Sequence, residues 1–305
     1  MRWTGAAPVL CLLLAACSTS EPTVAPPAPT TSSAPSPTRT TGPTRTPTPA
    51  PTKAPTKAPT KAPTKAAPPA FSTWPLGSRV LPLRPDGYGE VRPTPPSLRE
   101  RRYPTRDVLA PPAGGRFASS IAAISPAVRA RMGATYQPGC PVPLDELRYL
   151  TVAFRGFDGA AHTGELVVAA TAARGIVSVF RTLFAADYPI EEMRLPTTAD
   201  LDAPPTGDGN DTAAMVCRPT TGQTGGFSAH AYGLALDLNP FVNPYLKGDL
   251  VLPELASSYL DRSRVRPGMV LPDSVAVRAF ARIGWSWGGD FQTLKDYQHF
   301  TALDR

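Results

Sequence analysis

The chain has 305 residues, 39 of them proline, and a formal net charge of +7. Nearly all of that charge sits on Arg2 and on the stretch 18–70, leaving about +1 for residues 71–305. A near-neutral folded part lacks the broad basic face that a nucleic-acid binder needs, so that class of partner is excluded.

At the N-terminus one positive residue, Arg2, precedes an apolar run from Val9 to Ala16. The run is shorter than the roughly 20 apolar residues that span a bilayer, and with small residues at its end it reads as a secretory signal over 1–16. Its end, Leu14-Ala15-Ala16-Cys17, resembles the lipobox of bacterial lipoproteins. That resemblance implies cleavage before Cys17, acylation of its sulfur and an anchor at the outer face of the cell membrane. Residues 17–70 are almost only Pro, Thr, Ala, Ser and Lys, with Ala-Pro-Thr-Lys recurring. Too little apolar surface is present there to offset the entropy of ordering, and the proline content favours an extended spacer. Its fullest reach is on the order of 160 Å at about 3.1 Å per residue. Such a tether suits a domain held at a membrane and working within a wall.

Residues 71–139 read as an N-terminal arm, rich in Pro and Arg up to about 115, and 140–305 as the main folded domain. Tyr149–Phe154 predicts a strand, Gly156–Gly159 a turn and Gly164–Ala169 a second strand. Ile176, Val179, Phe180 and Leu183 fall at helical spacing within 171–185. A further strand is expected over Tyr188–Leu195, then a polar loop over 197–226. A strand over Leu234–Leu238, a loop with two Asn-Pro pairs, a helix near Ser274–Ile283 and a short strand over Tyr297–Thr301 complete the set. Strands and helices mix without a βαβ rhythm, so the fold class is α+β, a single domain with a small, mainly antiparallel sheet flanked by helices. Cys140 and Cys217, 77 residues apart, are most simply one disulfide in an exported domain. The domain is expected to be a monomer.

The chemistry concentrates in two segments. In Ser228-Ala-His230-Ala-Tyr-Gly233-Leu-Ala-Leu-Asp237, alternation puts Leu234, Leu236 and Leu238 on one face of a strand and Ala235 and Asp237 on the other. His230, seven residues before Asp237, reaches the same side only if the chain bends, which Gly233 permits. The second segment is Asp296-Tyr-Gln-His299. His230, Asp237 and His299 together make three zinc ligands of suitable hardness and leave a fourth position for water, with Asp296 placed to take its proton. Either histidine alone would read as structural, as His162 does. Trp285 and Trp287 read as core and cleft wall.

Ser228-x-His230-x-x-Gly233-x-Ala235-x-Asp237 followed by Asp296-x-x-His299 resembles the zinc D-alanyl-D-alanine carboxypeptidase family, which includes vancomycin-resistance carboxypeptidases and phage L-alanyl-D-glutamate endopeptidases. The resemblance runs from about Cys140 to Phe300. It implies one zinc ion held by His230, Asp237 and His299, a general base at Asp296, and peptidoglycan stem peptides as substrate. It also implies that Arg218 supports the substrate carbonyl as charge develops and that Ser228 lines the substrate cleft. Aspartate at 296 matches the endopeptidase branch, whereas many carboxypeptidases carry glutamate there, so both cleavage points stay open. A different class of reading is a wall-binding module that keeps zinc only for structure.

Overall fold

A computed structural model describes residues 70–221 and 225–303. The signal segment, Cys17 and all but the last residue of the tether lie outside the described residues. Elements follow in the order β1 (Ser119–Ala122), α1 (Pro126–Met132), β2 (Leu147–Arg155), β3 (Ala161–Ala169), α2 (Ala173–Ala185), α3 (Thr198–Asp202), β4 (Ala235–Asp237), β5 (Tyr245–Lys247), β6 (Leu250–Leu252), α4 (Val275–Ala281), β7 (Ser286–Trp287), β8 (Lys295–Asp296) and β9 (His299–Thr301). The class is α+β. No helix among the described residues is long and apolar enough to cross a membrane.

The longest hairpin is β2–β3, paired antiparallel from Leu147↔Ala169 to Arg155↔Ala161, with β1 on the free edge of β2. Its turn closes through the Gly156 amide on the Ala160 carbonyl, and Gly159 takes φ +83°. One face of this sheet carries Leu150, Val152, Leu166 and Val168 into the main core. There α2 covers them with Ile176, Val179, Phe180 and Leu183, none more than 1% exposed. The helix α4, capped by Ser274 Oγ accepting from the Val277 amide, packs against α2 with Ala276, Ala279 and Phe280. The expected single small sheet is in fact three sheets of three strands, all antiparallel: β1-β2-β3, β4-β9-β7 and β6-β5-β8.

Other expectations change as well. Tyr188–Leu195 is not a strand; it makes only isolated bridges, at Pro189 and at Glu192. Pro189 has no amide to give a ladder, and the Glu191 amide donates instead to Asn239 Oδ1. The β5–β6 hairpin, turning at Gly248 with φ +59°, was not expected. The polar loop 197–226 also holds α3, opened by a capping box between Thr197 and Asp200. Cys140 and Cys217 form the expected disulfide, with Cα atoms 5.8 Å apart. Closing a loop of this length contributes about 4 kcal/mol through the unfolded chain.

The arm does more than lie on the surface. Leu98 is fully buried in a second core cluster with Phe241, Val242, Val251, Leu255 and Tyr259. Beside it Arg101 makes a two-pronged ion pair with Glu191, at 2.7 and 2.6 Å, and donates to the Asp208 carbonyl. Glu191 also accepts from Asn210 Nδ2, whose Oδ1 receives the Phe241 amide. Both charged side chains are almost wholly buried, at 1% and 5% exposed. Removing one partner strands the other charge away from water. Arg101→Met is therefore expected to cost about 3–5 kcal/mol, read as a fall in the urea midpoint. A loss under 1 kcal/mol would show that the arm is not fastened here.

Candidate metal centre

Cross-strand pairing brings two of the expected ligands face to face. In the β4–β9 ladder Asp237 is directly opposite His299, and Leu236 is opposite Phe300. Asp237 is also locked from its other side, exchanging both backbone hydrogen bonds with Ala213 at 3.1 and 2.9 Å. His230 arrives from a short 3-10 turn, Ala229–Tyr232, whose N-terminus Ser228 caps by accepting from the His230 amide. Gly233 ends the turn in the left-handed region, φ +64°. A Cβ there would stand 2.5 Å from the Ala169 amide nitrogen, so only glycine lets this turn rest on the end of β3.

The donor atoms converge. His230 Nε2 lies 3.2 Å from His299 Nδ1 and 3.3 Å from Asp237 Oδ2, and His299 Nδ1 lies 3.0 Å from Asp237 Oδ1. Donors about 2.0–2.2 Å from a tetrahedral zinc ion sit about 3.4 Å from one another, so these three fit that ion. His230 Nδ1 donates to the Ala214 carbonyl at 2.6 Å, which leaves the lone pair of Nε2 aimed at the centre. Burial lowers the His230 pKa, favouring the neutral, ligating ring, although Asp237 opposes this. Burial pushes Asp237 up, but His230 and His299 outweigh it and hold its carboxyl well below the usual range. A neutral His230 ring and an ionised Asp237 carboxylate are the states that binding a cation requires.

Asp296 sits at the end of β8, paired with Tyr245 of β5. Only Tyr297 and Gln298 separate it from β9, so base and ligand come from adjoining sheets. Its Oδ1 is shielded from solvent and has no hydrogen-bond partner. Burial raises the carboxyl to about 6, with His299 opposing. The backbone of Gly288 lies so close that a Cβ there would be 2.5 Å from the Asp296 carbonyl and 3.2 Å from His299 Cβ. Arg218, Ser228, His230, Asp237, Asp296 and His299 all line one cleft of about 140 Å³. Arg218 is steadied by the Pro219 carbonyl and by Thr221 Oγ1.

Sequence reasoning missed the Ala214 carbonyl, Gly288 and the cleft residues Tyr245, Lys247 and Gln298. Only Gly288 had a signal, the Gly-Gly pair before Asp290; the others enter through contacts remote in the chain. His162 lies elsewhere, between Asp107 at 2.8 Å and Asp158 at 3.1 Å, where it ties the arm to the β2–β3 turn. Trp285 and Trp287 are buried in the main core.

Residues 221–302 match a protein family described as D-alanyl-D-alanine carboxypeptidase. No curated protein and no solved structure matches the chain. The matched segment contains Ser228, the three donors and Asp296, but begins after Arg218, so it is narrower than the resemblance from Cys140 onward. The match supports a peptidase activity in general for this segment.

A carboxylate with one oxygen shielded from solvent and unpartnered destabilises the metal-free fold. Because the folded pKa of Asp296 is raised, its protonated form stabilises the fold at and below the ordinary carboxylate range, and that contribution is lost as pH rises through about 6. In metal-free protein Asp296→Asn is expected to match the native chain near pH 4 and to exceed it by about 2 kcal/mol at pH 7. Thermal melts of both chains across that range test this, and a difference independent of pH would refute it.

Proposed function

We propose that the chain is an exported, zinc-dependent hydrolase of peptide bonds in peptidoglycan stem peptides, acting either as a D-alanyl-D-alanine carboxypeptidase or as an L-alanyl-D-glutamate endopeptidase. The observation that carries this reading is the convergence of His230, Asp237 and His299, whose donor atoms lie within 4.8 Å of one another, beside the shielded carboxylate of Asp296. A site that only stabilised the fold would have no use for a buried base at the metal.

Zinc held by these three side chains supplies Lewis-acid chemistry, acidifying water and polarising the scissile carbonyl. Asp296 takes the proton of the attacking water and returns it to the leaving amine. Arg218, reaching into the same cleft, carries the charge that grows on the carbonyl oxygen. Ser228 has two uses: its Oγ caps the turn that aims His230, and the residue borders the space the substrate enters.

The decisive experiment is mass spectrometry of purified muropeptides incubated with the zinc-loaded chain. Loss of one alanine identifies the carboxypeptidase, and release of a peptide beginning at glutamate identifies the endopeptidase. Asp296→Asn is expected to lower the rate by about 10² or more while retaining one zinc per chain. Absence of zinc in protein purified with zinc present would overturn the reading, and intact muropeptides with zinc bound would favour a wall-binding module. The lipid anchor belongs to the same proposal. Cys17→Ser is expected to move the protein from the membrane fraction to the medium, and retention at the membrane would refute the anchor.

A further inference from the structure

Next to the metal cleft is a larger cavity of about 500 Å³, walled by an edge of Trp287 with Phe291 and Leu294 and bordered by Asp290 and Gln292. Leu294 lines both spaces, and the Phe291 ring lies 6.3 Å from the His299 ring, so the two are lobes of one groove. The loop that forms the wall is fastened from within. Lys295 Nζ donates to the Gly289 and Phe291 carbonyls at 3.0 and 2.8 Å, and Gln292 Nε2 donates to the Asp290 carbonyl at 2.8 Å. With Lys295 occupied in this way, Asp290 is the charged side chain that borders the lobe. It is exposed, and its carboxylate makes no hydrogen bond or ion pair among the described residues. The metal cleft itself is lined instead by two cations outside any ion pair among the described residues, Arg218 and Lys247.

The groove changes character along its length: the metal cleft carries Arg218 and Lys247 beside the carboxylates of Asp237 and Asp296, and an apolar wall ending in one carboxylate forms the neighbouring lobe. An apolar wall with a single acid at its rim is the complement of an aliphatic chain that ends in an ammonium group. We propose that this lobe is a substrate subsite for an aliphatic side chain bearing a primary amine, its stem against Phe291, Leu294 and the Trp287 edge and its ammonium at Asp290. The substrate's free carboxylate then lies toward Arg218 and Lys247. The subsite deepens the peptidase reading and rests on it for its role, but its ligand chemistry can be tested without hydrolysis.

The full-length, metal-free chain is titrated with Nα-acetyl-lysine amide and with its Nε-acetylated counterpart while the backbone amide signals of residues 289–294 are followed by nuclear magnetic resonance. The free ammonium is expected to bind about fivefold more tightly, with shifts centred on Asp290 and Phe291. In Asp290→Asn, an exposed change that leaves the core untouched, the ratio falls to about one. Equal binding of the two probes by the native chain, or an unchanged ratio in the variant, overturns the subsite. Muropeptide hydrolysis decides the peptidase reading separately, so each can fail without the other.

Discussion

The β4–β9 register is the constraint from which the centre follows. Strand side chains alternate, so a slip of one residue would turn Asp237 or His299 to the opposite face and separate the donors. Apolar packing prevents the slip. Leu236 and Phe300, the neighbouring pair in the ladder, are fully buried, and Phe300 stacks on Phe280 with ring centroids 3.9 Å apart. Hydrogen bonds from Leu238 to Gln298 and from Ala302 to Leu234 extend the same register beyond the strands. Core burial on one face thereby fixes the position of polar donors on the other.

Around that ladder the molecule spends stability on placement. His230 and Asp296 are placed where burial disfavours their charged forms, around an Asp237 that the two imidazoles hold ionised. The compensation lies elsewhere, in the main core around α2 and α4 and in the cluster that the arm completes. Asn239 and Asn243 connect the two regions. Asn243 Nδ2 donates to the Leu238 and Gly268 carbonyls and its Oδ1 accepts from the Val270 amide, so the loop leaving Asp237 is held by side chains rather than by a ladder. Behind it the Arg101–Glu191–Asn210 network fixes the Phe241 amide. The arm is in this way part of the support of the centre, although it contributes no residue to the cleft.

Much of the centre was legible in the sequence because its signals are local. Alternation in Leu234–Leu238 separated a core face from a polar one, and a glycine after a histidine marked a bend. The hairpin β2–β3 and the helix α2 were legible for the same reason, through periods of two and of about 3.6 residues. The errors fell where local pattern and tertiary context disagree. Tyr188–Leu195 has the apolar content of a strand, yet its amides are claimed by Asn239 and by single bridges. The β5–β6 hairpin has three-residue strands, too short for alternation to register, although Gly248-Asp249 marked its turn.

By itself the sequence determined which side chains can hold a cation, which acid stands beside them, and that two cysteines would pair. It could not determine the spacing of the donors, because Asp237 and His299, 62 positions apart in the chain, leave their separation to the fold. Tertiary structure decided that these donors meet at 3.0–3.3 Å, that the Ala214 carbonyl orients one imidazole, and that Asp296 stands beside them with its Oδ1 shielded and unpartnered. It also decided that the groove continues past Leu294 to Asp290. The physical reason is the same throughout: side-chain type is a property of the chain, whereas distance, burial and the pKa that burial shifts exist only after remote segments have packed together.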